Sequence, residues 1–326
     1  MNVFIIGGTR NLGPGIVEEL RGRKCQVTVF HRGVTAAGLP GDVERVLGDR
    51  GIEADLRRAV RGRSFDMVVD TTLYTGPEAE LAARIFSGRV GRYVMLSTGQ
   101  VYLVRTGLQR PFREEDYAGP VMAAPAGADH ADWLYGVEKR AAEETLFEAE
   151  DLPVTVLRLP MVHSARDHYQ RIGAYLGRIL DGGPIVVPAR ERPRLKHIYG
   201  GDVVRFIGEL VGSGVGLGQA YNLSQEETPE LTEFLGELAR LAGCSLRLLE
   251  VERERLEAEG LLLDCSPFSG RWMSELDSGR SVREFGMSYT EWREYLPILV
   301  EGLLPVVRET PPRYKKRAAE LALSSD

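Results

Sequence analysis

Val3-Phe4-Ile5-Ile6-Gly7-Gly8-Thr9-Arg10-Asn11-Leu12-Gly13-Pro14-Gly15-Ile16-Val17 stands at the head of the chain, and its reading decides the fold. Four apolar residues, Val3–Ile6, read as a buried strand. The strand runs into a glycine turn, and a helix begins at about Gly13-Pro14. Proline suits the first turn of a helix, where its missing N–H costs nothing. Free backbone N–H groups and the dipole at such a helix start favour a pyrophosphate. Strand, glycine turn and helix in that order form the opening unit of a dinucleotide-binding sheet. Arg10, a large cation, occupies a turn position that usually holds a small residue.

About twenty residues on, an NAD site places an Asp or Glu against the ribose 2′-hydroxyl. Here the second apolar run, Gln26–Phe30, ends in His31-Arg32-Gly33, with a cation where the carboxylate would stand. Arg10 and Arg32 together suit a 2′-phosphate, because guanidinium pairs bidentately with phosphate oxygens. The expected cofactor is therefore NADP, with NAD as the alternative if both arginines are solvated or stack on the adenine.

Outward from this unit, short apolar runs alternate with amphipathic ones. Strands are expected at Arg45–Leu47, Asp66–Asp70, Tyr93–Ser97 and Val154–Leu157, and helices at Gly13–Arg21, Ile52–Val60, Pro77–Phe86 and Trp133–Glu150. The strands are rich in Val, Ile and Phe, as doubly buried parallel strands are. The pattern predicts an α/β protein: a doubly wound parallel Rossmann sheet with a smaller C-terminal substrate-binding lobe. The dinucleotide domain is assigned to residues 1–160, with segments near 195–222 returning to it, among them a strand at Tyr221. Residues 161–326 are assigned mainly to the substrate lobe, with a short strand at Ile185–Val187 and helices at Asp202–Val211 and Pro229–Leu241. Gly260–Gly286 has no clear period. The tail Pro311–Asp326, with Lys315-Lys316-Arg317, reads as a solvated helix or frayed end, and a basic interaction arm is the alternative.

Composition fits this class. The 326 residues are 43% hydrophobic and 27% charged, with a net charge of −6. That balance argues against nucleic acid as a partner. Cys25, Cys244 and Cys265 form no paired spacing, which favours a reducing compartment, and no targeting or membrane-spanning segment is read. The expectation is a cytoplasmic protein with a small-molecule substrate, compatible with a homodimer.

Tyr135 and Lys139 are four apart in the longest helical pattern and so share a face. A free phenol titrates near pH ~10, too high for a neutral-pH base. A nearby ammonium together with an oxidised nicotinamide would lower it, by ~3 pH units for about 4 kcal/mol of interaction. The phenol then exchanges a proton with a substrate hydroxyl while hydride moves on the same carbon. Thr98, at the C-terminal end of the strand Tyr93–Ser97, faces the crevice where such sheets bind ligands.

Taken together these residues resemble the extended short-chain dehydrogenases/reductases, the NAD(P)-dependent nucleotide-sugar epimerase and dehydratase group. The motifs are Gly7-Gly8-Thr9-Arg10-Asn11-Leu12-Gly13, Asp49-Arg50, Ser97-Thr98-x-x-Val101-Tyr102, Tyr135-x-x-x-Lys139, Arg158-Leu159-Pro160 and His197-Ile198-Tyr199-Gly200-Gly201-Asp202. The arginine-bearing loop, followed by Val-Phe-His-Arg-Gly, is similar to an atypical branch that includes the chloroplast stem-loop-binding proteins. The resemblance implies a catalytic set of Thr98, Tyr135 and Lys139, with Lys139 also holding the nicotinamide ribose. It implies that Gly7, Thr9, Asn11, Leu12 and Gly13 line the pyrophosphate, that Asp49 and Arg50 meet the adenine, that Thr71 and Thr72 lie along the ribose, and that Leu159 and Pro160 border the nicotinamide. His31 joins Arg10 and Arg32 among the cofactor contacts. Gln100, His163 and Arg194 are assigned to the substrate.

The departures narrow the chemistry. Dehydratases of the family place Asp-Glu after the strand threonine, and decarboxylases place a Glu two residues after it. Gly99 and Gln100 stand there instead. The gap between Thr98 and Tyr135 is long by the family's standard, and Arg110–Asp132 is expected to be a mobile flap over the substrate. His163, Asp167 and His168 could in principle hold a metal but are assigned none. Arg192, Arg194 and Lys196 form a basic cluster that would grip a substrate diphosphate or lie solvated. The resulting expectation is an NADP-dependent oxidoreductase or epimerase acting at one carbinol carbon of a sugar nucleotide or similar polyol. A carbonyl reductase with a non-sugar substrate is the first rival. A non-catalytic dinucleotide-sensing or RNA-binding protein is the second, and a salt-dependent RNA titration would separate it.

Overall fold

A computed structural model of the protein describes residues 1–35, 38–310 and 316–323. Its eleven described strands are β1 (Asn2–Ile6), β2 (Gln26–His31), β3 (Glu44–Leu47), β4 (Met67–Asp70), β5 (Tyr93–Thr98), β6 (Val154–Leu159), β7 (Met161–His163), β8 (Ile185–Pro188), β9 (His197–Tyr199), β10 (Gln219–Asn222) and β11 (Leu248–Val251). Seven make one sheet in the order β10-β6-β5-β4-β1-β2-β3, every pair parallel. The order steps outward from β1 in both directions, so a crevice opens beyond the strands' C-terminal ends between β1 and β4.

Alternation within β1 feeds both faces. Val3 and Ile5 pack under α1 (Gly13–Gly22), through Ile16, Val17 and Leu20. Phe4 and Ile6 join the opposite core with Leu56 of α2 (Glu53–Val60), Ala82 and Ile85 of α3 (Gly76–Phe86) and Ala142 and Leu146. The last two lie on α5 (Asp129–Glu148), which begins four residues before the expected Trp133. A one-turn α4 (Gln100–Leu103) links β5 to the Arg110–Asp132 insertion.

The remaining elements build the lobe. α6 (Arg171–Leu180), α8 (Leu231–Ala242) and the helix Trp292–Glu309 enclose a third core around Tyr175, Phe234 and Tyr295. Two small parallel ribbons, β8 with β11 and β7 with β9, stand outside the main sheet. Of the segments expected to return, β10 joins the sheet beside β6, and α7 (Gly200–Glu209) packs Phe206 and Ile207 into the core under α1. β9 does not return and stays with β7.

Two expectations are corrected here. The insertion is not loose throughout: Phe112 is buried beside Tyr102 and Leu276, and Tyr117 lies under the guanidinium of Arg140 at 3.8 Å. The described part of the tail, residues 316–323, is neither a frayed end nor a free arm. Its helix Arg317–Ala322 docks on the lobe, with Arg317 and Glu320 buried in an ion network with Arg178 and Asp181. Lys315 lies outside the described residues.

Candidate active site

The glycine turn is shaped by close approach. Gly7 and Gly8 have φ of +93° and +73°, a region that favours glycine. A Cβ on Gly7 would fall 2.3 Å from Thr71 Oγ1, and one on Gly13 would fall 2.4 to 2.6 Å from three backbone atoms of Gly8. The turn therefore lies flat against β4 and the start of α1. That helix has no side-chain cap and no acidic residue in its first turn, which leaves its positive end open to an anion.

A cleft of about 430 Å³ runs across this turn. It is lined by Gly7, Thr9, Arg10, Asn11, Leu12, Gly13, His31, Arg32, Asp49, Arg50, Thr71 and Thr72, which are expected cofactor residues, and also by Thr35, Tyr74, Glu78 and His168, which are not. Among the buried polar atoms of the lining that lack a hydrogen-bond partner are Asn11 Oδ1 and His31 Nε2. A flat glycine cradle, an uncapped helix start and unpaired polar atoms fit a dinucleotide.

At the β2 end, Arg10 Nε donates to Thr35 Oγ1 at 2.9 Å, and Arg32 is 65% exposed with its nearest carboxylate, Asp49, at 4.0 Å. Both guanidiniums line the cleft, and among the described residues neither has a close ion pair. Arg50 behaves differently. It turns inward, its Nη2 bonded to Asp70 at 2.6 Å and its Nη1 3.3 Å from Glu78, so it braces the cleft floor. Thr71 is likewise drawn inward: its hydroxyl donates to Ile6 O and accepts from Gly8 N.

Thr98, Tyr135 and Lys139 gather just beyond the inner end of the cleft, past Leu96 and Tyr74. Lys139 is 4% exposed, and its Nζ donates to Leu73 O at 2.6 Å and Leu96 O at 2.9 Å. Burial lowers it to about 8 against the pull of Asp70, Glu143 and Glu78. Its ammonium lies 4.6 Å from the Tyr74 ring centroid and 6.0 Å from that of Tyr135. The depression expected of the Tyr135 phenol needs an oxidised nicotinamide as well as the ammonium; from the protein's own groups alone the phenol stands high. Burial, then Tyr74, hold it above the ordinary phenol range, while the Thr98 hydroxyl draws it back. Two of the three N–H groups of the ammonium are given to carbonyls. Leu159 and Pro160 close the side next to Thr98, where Leu159 O accepts from Gly99 N, and neither lines the cleft.

The three expected substrate residues do not converge. Gln100 Nε2 bonds Asp132 Oδ1 at 3.0 Å and so ties α4 to α5. His163 is 2% exposed inside the lobe, bonded to Tyr295 and stacked on His197, because β7 carries it into the third core and away from the crevice. Arg194 lies exposed and bonds Thr228. Asp167 takes the N–H groups of Tyr169 and Arg171, and His168 reaches the cleft. Glu78 was legible as the fourth residue of the capping box that Thr75 opens on α3. Tyr74 and His168 carried no motif.

A protein-family model described as the NAD dependent epimerase/dehydratase family matches residues 3–224. A curated relative, 2'-dehydrokanamycin reductase of Streptomyces kanamyceticus, is 24% identical over 290 residues, covering 86% of this chain and 77% of that protein. The dTDP-glucose 4,6-dehydratase of Bacillus anthracis, solved in complex with NAD, superposes with a TM-score of 0.74 at 15% identity, over 94% of this chain and 98% of its own. The UDP-glucose 4-epimerase of Thermotoga maritima, solved with UDP-glucose, gives 0.72 at 17% identity, over 94% and 100%. At these identities the two structures show the shared fold.

Proposed function

The chain belongs to the NAD-dependent epimerase/dehydratase family of extended short-chain dehydrogenases/reductases, and we propose that it works at one carbinol carbon of a sugar nucleotide or similar polyol, with NADP as its dinucleotide. The observation that carries this reading is the gathering of Thr98, Tyr135 and Lys139 behind Tyr74 and Leu96, which line a glycine-cradled cleft. When bound, the nicotinamide supplies or accepts the hydride. The Thr98 hydroxyl holds the substrate oxygen, and the Tyr135 phenol gives or takes its proton. Lys139 fixes the geometry beneath them. The turn N–H groups hold the pyrophosphate, and Arg10 and Arg32 take the 2′-phosphate.

Elimination of water is disfavoured by packing as well as by sequence. A Cβ on Gly99 would lie 2.2 Å from Ser274 Oγ and 3.0 Å from Leu276 Cδ2, so a carboxylate there needs the 274–276 segment to move. Gln100 is turned to Asp132. The chemistry is redox at a single carbon, as an epimerisation or as a net reduction of a ketone. The reductive direction is supported by the relative named 2'-dehydrokanamycin reductase. A panel of sugar nucleotides and oxidised polyols, followed by mass with NADPH and NADH, tests the reading. Epimer exchange or a gain of two hydrogens is expected, and loss of water from any substrate at enzymatic rates overturns it.

A further inference from the structure

Lys139 does not line the dinucleotide cleft, although the proposed chemistry needs its ammonium beside Tyr135. Tyr74 lines it instead. Its backbone is fixed, since Glu78 accepts from its N–H at 2.7 Å and Lys139 donates to the carbonyl of the preceding Leu73. Its ring covers the ammonium at 4.6 Å and stands 6.4 Å from the Tyr135 ring, tilted by 48°. Two N–H groups of Lys139 are given to carbonyls, and of the two rings near the ammonium Tyr74 is the nearer and the one that lines the cleft. An aromatic face can hold a cation without hydrating it.

We propose that Tyr74 is a positioning residue for the Tyr135–Lys139 pair: its ring shuts the Lys139 ammonium off from the cleft and holds it, dry, against the Leu73 and Leu96 carbonyls. The inference deepens the proposed chemistry and rests on it. Around the ammonium stand Asp70 from β4, Glu78 from α3 and Glu143 from α5, which favour its charge, and Arg50, which opposes it. Burial outweighs the three carboxylates and brings the lysine down to about 8. Opening one face to water returns hydration to the charged form; the ring's own attraction for the cation is lost at the same time and works the other way, but burial is the largest influence on this lysine, so proton affinity rises.

The chain has only five lysines, so carbon-13 labelling at lysine Cε gives a spectrum in which Lys139 is assigned by its loss in Lys139→Met. Titration is followed in the protein without substrate or dinucleotide, in wild type, Tyr74→Phe and Tyr74→Ala. Tyr74 is 48% exposed, so both variants keep the core. The expected result is a Lys139 midpoint in Tyr74→Phe equal to wild type and a proton affinity at least tenfold higher in Tyr74→Ala. The pH profile of turnover should shift in the alanine variant and return in the phenylalanine variant. An alanine variant that titrates like wild type, or at lower pH, overturns the proposal. If the titrations behave as expected and no carbinol or ketone is turned over, the proposed chemistry fails and the positioning role stands.

Discussion

Tyr135 is the residue on which a test of the chemistry turns, because its ring and its hydroxyl do separable things. The ring packs beside Tyr74, 6.0 Å from the Lys139 ammonium, and the hydroxyl faces Thr98. Tyr135→Phe keeps the first and removes the second. Turnover should fall by ~10²-fold or more, the usual scale of a lost proton-transfer group, while calorimetric dinucleotide affinity stays within about twofold. Wild-type turnover in the purified variant would remove Tyr135 from the mechanism. Arg32 gives a second test. It is largely solvated and, among the described residues, lacks a close ion pair, so Arg32→Ala should cost ~1.5–3 kcal/mol of NADP affinity and little of NAD affinity. Equal wild-type affinities for the two dinucleotides would mean that Arg10 and Arg32 read no 2′-phosphate. At this scale the sequence was informative where chemistry constrains residue type, as in the glycine turn and the Tyr–Lys spacing. It was silent where only packing decides: Arg50 turns inward because Asp70 and Glu78 wait there, and Tyr74 matters because of what lies behind it.

The turn and α1 act as one element, and Gly13 is where they touch. An added Cβ would meet the Gly8 carbonyl carbon, Cα and oxygen at 2.4 to 2.6 Å, all backbone atoms that cannot rotate away. Gly13→Ala should therefore push the helix start off the turn, cost ~1–3 kcal/mol as overpacking does, and weaken dinucleotide binding more than tenfold. Gly22→Ala, in the last turn of the same helix with nothing within 4 Å of the added carbon, should be neutral or stabilising by ~0.4–1 kcal/mol. Urea unfolding and dinucleotide titration of the two variants compare them directly, and equal effects would mean that the close approach is not what Gly13 serves. The strands of the main sheet were legible to within one or two residues at most ends, because burial on both faces leaves continuous apolar runs in all but the edge strand β3, which is largely exposed. The lobe was not. β8 pairs with β11, some sixty residues on, and the Arg317–Ala322 helix docks through Arg178 and Asp181, partners far from it in sequence. Such pairings leave no local period to read.

The whole molecule carries a pH dependence that originates in the lobe. His163 and His197 stack at 4.7 Å between the paired strands β7 and β9, enclosed by Phe234, Phe268 and Tyr295. Both are under 3% exposed, and burial holds His163 well below its ordinary range and His197 at about 4. The sign follows from linkage. Above about pH 6.5 the imidazoles are neutral whether the chain is folded or not, and they impose no pH dependence. Below it the unfolded chain takes up protons that the folded chain refuses, so stability falls as the pH drops from 6.5 towards 4. A difference of that size amounts to on the order of 3 kcal/mol from His197 alone, at up to ~1.4 kcal/mol per pH unit for each imidazole. Glu114 and Glu227, held above the usual carboxylate range by burial, act in the opposite direction, so a control is needed. His197→Phe supplies it: an aromatic ring of similar size keeps the stack on His163 and Tyr295 and removes one titrating site. Urea unfolding at half-unit steps from pH 7.5 to 4.5 should show wild-type stability falling through this window, and the slope should be shallower in the variant. A wild-type curve as shallow as that of His197→Phe would mean that the folded lobe accepts the proton at His197 after all, and that the pair is hydrated rather than sealed.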